Sequence, residues 1–354
     1  MNVLAKLKSG LAVVKTPMSI MGGLGGIEGA WKGVTAGVLL LLLVLFCGLG
    51  LYWSTEPDVF HVRERVDAEA SRRGEVPVVG YYTTLTLIQV VETLLNKSGG
   101  YLTNDVILPS IFLDNMPSWE FGVLTQARDL SIAMRKDLSR SQSQSKEDPD
   151  LAKAQSTLNF DNDSWIFPAT ESEYKDSIAS LYLYLQRLAQ SNHPEAQFYA
   201  RADNLSRWLA YIENSLGSMS QRLSDSVGHD VYQQAMGSAP GVGSTPVAPQ
   251  QATKTSWFEI DDVFFEARGT SWALLHLLKA ALIDFEDILI KKNAYVSFQQ
   301  IIRELEYTQA TLWSPVILNG GGFGILANHS LVMANYISRA NAAIIDLREL
   351  LSQG

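Results

Sequence analysis

Residues 205–223 read LSRWLAYIENSLGSMSQRL. Leu205, Leu209, Ile212, Leu216, Met219 and Leu223 return every three or four positions. That spacing puts one apolar stripe along a helix and has none of the alternation of a half-buried strand, so it predicts a helix with a core-facing side. The same period extends in both directions. N-terminally it runs through Val123, Ala127, Leu130 and Met134, and through Tyr174, Ile178, Leu181, Leu185 and Leu188. C-terminally it runs through Leu274, Leu278, Ala281, Phe285 and Ile288, then Phe298, Ile302, Leu305 and Leu312 with Gln309 interrupting. A last stripe takes in Met333, Ile337, Ala340, Ile344, Leu347 and Leu351. Each stripe is short, which favours an intramolecular bundle over a coiled coil and predicts an all-α fold. Thr170-Glu171-Ser172-Glu173 reads as a capping box, Pro194-Glu195 as a helix first turn, and Asn328 or Ser330 as the cap of the last helix.

Two polar segments break the pattern. Residues 139–150, SRSQSQSKEDPD, read as a solvated loop. Residues 235–256, rich in Gly, Pro, Ala, Ser and Thr, bury too little apolar area to offset their ordering entropy and read as a flexible linker. They divide the chain into a helical region 57–234 and a second, 257–354, expected to pack on the first. Two irregular stretches, 99–122 and 312–330, are apolar instead. They either plug the core between helices or form a surface that docks a partner or lipid.

Upstream, residues 33–53 read GVTAGVLLLLLVLFCGLGLYW and carry no charge. At 1.5 Å per residue such a helix covers ~31 Å, the thickness of a hydrocarbon core. Trp31 stands at one end and Tyr52-Trp53 at the other, as interfacial aromatics do. The long preceding segment and the lack of a small-x-small site after Trp53 favour a retained anchor over a cleaved signal. A mean hydropathy of +0.04 is too low for a multi-span transporter. Residues 1–32 form a basic, Gly-rich juxtamembrane segment whose first 17 residues suit either an amphipathic helix or a disordered tail. Four lysines against Glu28 leave +3 before residue 54 and −12 beyond it, so the positive-inside rule places the N-terminus in the cytoplasm and residues 57–354 outside. In a bacterium this means an inner-membrane protein with a periplasmic domain. Around Gly22–Gly26 the glycines suggest a hinge. Gly29, Gly33 and Gly37 then share one helix face and form a candidate helix-packing interface. The expected partners are membrane lipid and either a second copy of the chain or another envelope protein.

Few residues carry a chemical signature. Cys47, the one cysteine, lies in the apolar run, so the remainder has no disulfide. The acidic remainder argues against nucleic acid, because phosphate binding needs a basic surface. No metal site is expected: His61, His193, His229, His276 and His329 include no HExxH or close ligand pair, and His276 reads as a hydrogen-bonded core histidine. Ser143-x-x-Lys146 has a nucleophile–base spacing but sits in a polar loop. Gly322–Ala327 fits a loose GxGxxA without the strand a dinucleotide site requires, so no cofactor is expected. Glu259, Asp261, Asp262 and Glu266, then Asp284, Glu286 and Asp287, are carboxylate clusters that acid–base work would need; helix-start and solvated-face roles are the favoured explanation of them. The N-x-S/T triplets at Asn96, Asn162, Asn204 and Asn328 read as chance. Catalytic residues stay unassigned.

The wording GYYTTLTLIQVVETLLNKSGGYLTNDVILPSIFLDN (80–115) and DDVFFEARGTSWALLHLLKAALIDF (261–285) resembles that of proteobacterial inner-membrane proteins catalogued only as a domain of unknown function. The resemblance implies location and shape but no activity. The expectation is a bitopic protein whose helical domain acts as a structural subunit, scaffold or adaptor of an envelope complex. The alternatives are a wall- or lipid-acting enzyme using carboxylates, and a lipid-binding helical protein.

Overall fold

Apart from a lone bridge between Asn319 and Asn328, every regular element among the described residues is helical. The computed structural model describes residues 25–140, 146–190, 195–226, 255–314, 316–320 and 325–353. In chain order the helices are α1 (Gly25–Trp53), α2 (Val62–Arg73), α3 (Tyr81–Asn96), α4 (Asn115–Ala133), α5 (Pro149–Leu158), α6 (Thr170–Ala189), α7 (Ala202–Asp225), α8 (Ile260–Asp284), α9 (Glu286–Lys291), α10 (Tyr295–Thr308) and α11 (His329–Ser352). The all-α expectation is met, with one N-terminal helix, over Trp31–Trp53, long and apolar enough to cross a membrane. The chain divides into residues up to Leu49 and a compact unit, Gly50–Gly354, which contains the last turn of α1 and the whole bundle.

The bundle is organised around α8. From Val263 to Ala281 this helix is buried on nearly every face, against α4, α3 and α10. α4 and α8 cross backbone to backbone at Gly122 and Gly269: a Cβ on Gly122 would stand 2.7 Å from the Thr270 nitrogen, and one on Gly269 2.8 Å from the Trp119 carbonyl carbon. Both helices therefore need glycine at the crossing. Trp119 and Trp272 pack beside it with ring centroids 5.3 Å apart. α7 pairs with α11, α11 with α10, and α5 with α6, through the stripes visible in the sequence. Leu209 and Leu278 are both fully buried.

Several local expectations shift. Thr170 opens α6 without capping it; its hydroxyl donates to the Asp161 and Ser164 carbonyls. α7 begins at Ala202, not near Glu195, and Pro194 lies outside the described residues. The stripe through Phe285 and Ile288 is two helices, because α8 ends at Asp284. Leu312 lies beyond α10, which stops at Thr308. The irregular stretch 99–122 ends at Asp114, where α4 takes over. The polar loop is shorter than 139–150, since Asp148 caps α5 with Pro149 in its first turn. Asn328 caps α11 by accepting the Leu331 amide. The expected hinge at residues 22–26 and the expected linker at 235–256 fall largely outside the described residues, as does the tail 1–17; Gly25 and Gly26 already belong to α1.

Candidate functional site

The end of the bundle that holds residues 50–53 is where its loops, buried charges and exposed aromatics converge. Gly50 is buried there: a methyl on it would stand 3.8 Å from Pro109 Cβ and 3.8 Å from Leu113 Cδ2. One turn later Trp53 lies on Gly99, where a Cβ would come within 2.7 Å of Trp53 Cγ. The chain then runs along α8. Arg268 forks onto Glu56, Trp272 Nε1 donates to the Asp58 carbonyl (3.4 Å), and the Phe60 amide donates to His276 Nε2 (3.0 Å). His276 Nδ1 meets the Trp272 carbonyl at 2.7 Å and the ring stacks on Phe60, which fixes a neutral imidazole with its proton on Nδ1. Burial pushes its pKa down to about 3. His276 is thus a core histidine, as expected from the sequence.

A buried ion pair braces the adjoining loop. Lys97 Nζ lies 2.6 Å from Glu120 Oε1, both side chains enclosed. Glu120 also accepts the Leu102 and Thr103 amides at 2.8 Å each, and Lys97 donates to the Gly100 carbonyl. Burial raises the Glu120 carboxyl pKa against the pull of Lys97. Sequence reasoning missed this pair. The available signal was Lys97 as the one cation between Arg73 and Arg128, and Glu120 set between Trp119 and Phe121.

Beyond this brace the loop turns its apolar side chains outward. Val106, Ile107, Leu108, Ile111 and Phe112 are exposed, while Tyr101 and Leu102 are buried. Asn104 Nδ2 ties the loop to the Ser164 carbonyl (2.9 Å), next to exposed Trp165, Ile166 and Phe167. Ser118 Oγ donates to Asp262 (3.0 Å), which sets the start of α8, with exposed Trp257 and Phe258, beside the start of α4. Arg268 also donates to the Thr308 and Ala310 carbonyls, holding at this end the chain that leaves α10, with exposed Trp313. Both apolar stretches therefore split, part filling the core and part forming an exposed surface.

The carboxylate clusters disperse into structural roles. Glu266 forks onto Arg222 (2.7 Å twice), Asp262 takes the Ser118 hydroxyl, and Glu259, Glu286 and Asp287 are exposed. Asp284 lies at the opposite end and caps α3, accepting the Gly80 amide (2.9 Å), the Thr83 amide (2.7 Å) and the Thr83 hydroxyl (2.6 Å). Burial pushes its pKa up to about 6, against those donors. Asp261 stands in the first turn of α8, where the dipole favours it. Ser143, Gly322 and Gly324 lie outside the described residues. Among the described residues no group of three or more His, Cys, Asp or Glu could hold a metal. A cleft of about 350 Å³ between α8, α10 and α11 is lined by Phe264, Tyr307, Trp313, Met333 and Tyr336. Its one charged lining residue, Arg268, is already engaged by Glu56. Gly29, Gly33 and Gly37 all lie in α1, and a Cβ on Gly33 or Gly37 would meet nothing within 4 Å.

Across residues 27–354 the chain matches the family described as "Uncharacterized protein conserved in bacteria (DUF2333)", and it belongs to that family. No curated protein and no solved structure matches it.

Proposed function

Starting from that membership, we propose that the chain is a single-span protein of the bacterial inner membrane, held by α1, whose helical bundle stands in the periplasm as a structural subunit or adaptor of an envelope complex. The observation that carries the reading is that residues 50–53, the last of α1, are packed within the bundle unit. By length and composition α1 suits an anchor or a signal sequence equally. A signal sequence is removed, however, and here Gly50 and Trp53 belong to the packing of the bundle itself. The charge step, +3 before residue 54 and −12 after it, supports a cytoplasmic N-terminus. A binding role is favoured over carboxylate catalysis because Asp262, Glu266 and Asp284 are spent on capping and pairing. The Gly29, Gly33 and Gly37 face supplies a place for α1 to meet a second copy or a partner helix.

The test is a C-terminal fusion to alkaline phosphatase and, separately, to a fluorescent protein that matures only in the cytoplasm, with the mass of the mature chain measured from membranes. Active phosphatase, a dark fluorescent fusion and an intact N-terminus are expected. Cleavage before Gly50, or the opposite reporter pattern, overturns the reading. Particle size in mild detergent then reports on assembly.

A further inference from the structure

Among the described residues of the bundle, every exposed Trp or Phe belongs to the loops and helix starts at the end that holds residues 50–53: Phe112, Phe121, Trp165, Phe167, Trp257, Phe258 and Trp313. We propose that this end is a second membrane contact, in which the 106–112 loop and the start of α8 enter the interfacial layer of the bilayer that α1 crosses. The proposal rests on the anchor reading and adds to it a lipid-binding surface of defined composition.

The chain itself sets the level of this surface. If Tyr52-Trp53 mark the interface, Gly50 lies about 4.5 Å further toward the hydrocarbon. Pro109 and Leu113 pack on Gly50, so the loop carrying Ile107 and Phe112 stands at the same depth. The start of α8 follows by the same logic. Residues 56–60 climb α8 from Arg268 to His276, so the helix start lies on the other side of Glu56, about 12 Å before Arg268. That places Phe258, 83% exposed, alongside the loop.

The chemistry of the surface selects lipid. Trp and Phe suit the headgroup–acyl boundary, where a ring meets both hydrocarbon and water. Irregular backbone entering that layer must satisfy its own polar groups. Three of the loop's carbonyls are satisfied within it: Ile107 O accepts the Ser110 hydroxyl, Pro109 O the Phe112 amide (3.0 Å) and Ser110 O the Leu113 amide (2.8 Å). No lysine or arginine occurs in residues 98–127, 255–267 or 309–328. Attachment through apolar area without basic residues needs no anionic lipid and resists salt.

The test uses the full chain, with Cys47→Ser to clear the native thiol and one of Tyr52→Cys, Phe112→Cys, Phe258→Cys or Ile345→Cys added, all at exposed positions. Each is labelled with an environment-sensitive fluorophore and reconstituted in phosphatidylcholine vesicles with or without lipid spin-labelled high on the acyl chain. Circular dichroism first checks that each variant folds. Residues 112 and 258 should lose fluorescence to the spin label as strongly as residue 52, at low and high salt alike. Residue 345, about 24 Å along α11 from its membrane-side start, should lose none. Quenching at 52 without quenching at 112 and 258 overturns the second contact and leaves the anchor standing. No quenching at 52 overturns the anchor reading itself. Quenching at 345 as well marks indiscriminate adhesion and overturns the proposal.

Discussion

Replacing Gly269 by alanine tests the crossing of α4 and α8 on which the bundle turns. The new Cβ would stand 2.8 Å from the Trp119 carbonyl carbon and 3.0 Å from its Cα, where carbon atoms ordinarily keep ~3.5–4.0 Å. Neither neighbour is a flexible side-chain tip, so the helices must part. The overpacking cost lies near the upper end of its usual range, ~3 kcal/mol, and the helix-propensity gain of alanine over glycine offsets ~1 kcal/mol of it. A net loss of ~2 kcal/mol follows. At ~2.1 cal/mol/K per residue, a unit of roughly 300 residues melts with an entropy of ~0.6 kcal/mol/K, so the midpoint should fall by ~3 °C. Gly217→Ala provides the control of opposite sign. Gly217 sits mid-α7 with its nearest neighbour, Asn341 Nδ2, at 3.5 Å, so only the propensity gain remains and the midpoint should rise by 1–2 °C, a ~1 kcal/mol gain over the same entropy. Both are read from circular dichroism melts of the full chain in one detergent. A rise for Gly269→Ala comparable to that for Gly217→Ala would refute the close crossing.

Lys97→Met leaves Glu120 buried without its cation and should cost ~3–5 kcal/mol by urea unfolding, more than the double change Lys97→Met with Glu120→Leu; a loss below 1 kcal/mol would deny the buried pair. Asp284 has a folded pKa raised to about 6 above its unfolded value, so its contribution is full below about pH 4 and is lost as pH rises through 6; relative to Asp284→Asn, the parent should lose at most ~3 kcal/mol over that window, and parallel stability curves would contradict it. His276, with its pKa pushed down to about 3, should keep neutral imidazole NMR shifts at pH 5, and a protonated signal there would contradict the Phe60 amide bond. Gly33→Leu with Gly37→Leu should weaken association of the isolated α1 segment in a membrane dimerisation assay more than changes at Val34 and Val38; equal effects would remove the glycine face from any assembly.

What the sequence by itself determined is what depends on near neighbours in the chain. The stripe from Leu205 to Leu223 is a local period and became α7; the stripe from Met333 to Leu351 became α11; the uncharged run ending at Trp53 became the apolar part of α1. The same locality explains the failures. α3 is buried on almost every side, so TTLTLIQVV carries no stripe to read, and α2 has only Val62, Val66 and Ala70 to mark its face. A capping box at Thr170 was a correct local pattern overridden by carbonyls that the fold brings within reach. Only the tertiary structure decided that Asp284 caps a helix beginning some 200 residues earlier, that Lys97 meets Glu120, and that two glycines on separate helices touch. It also decided which apolar loop residues face outward and gathered them beside the last turn of α1, because adjacency between distant segments is created by packing and leaves no period in the chain.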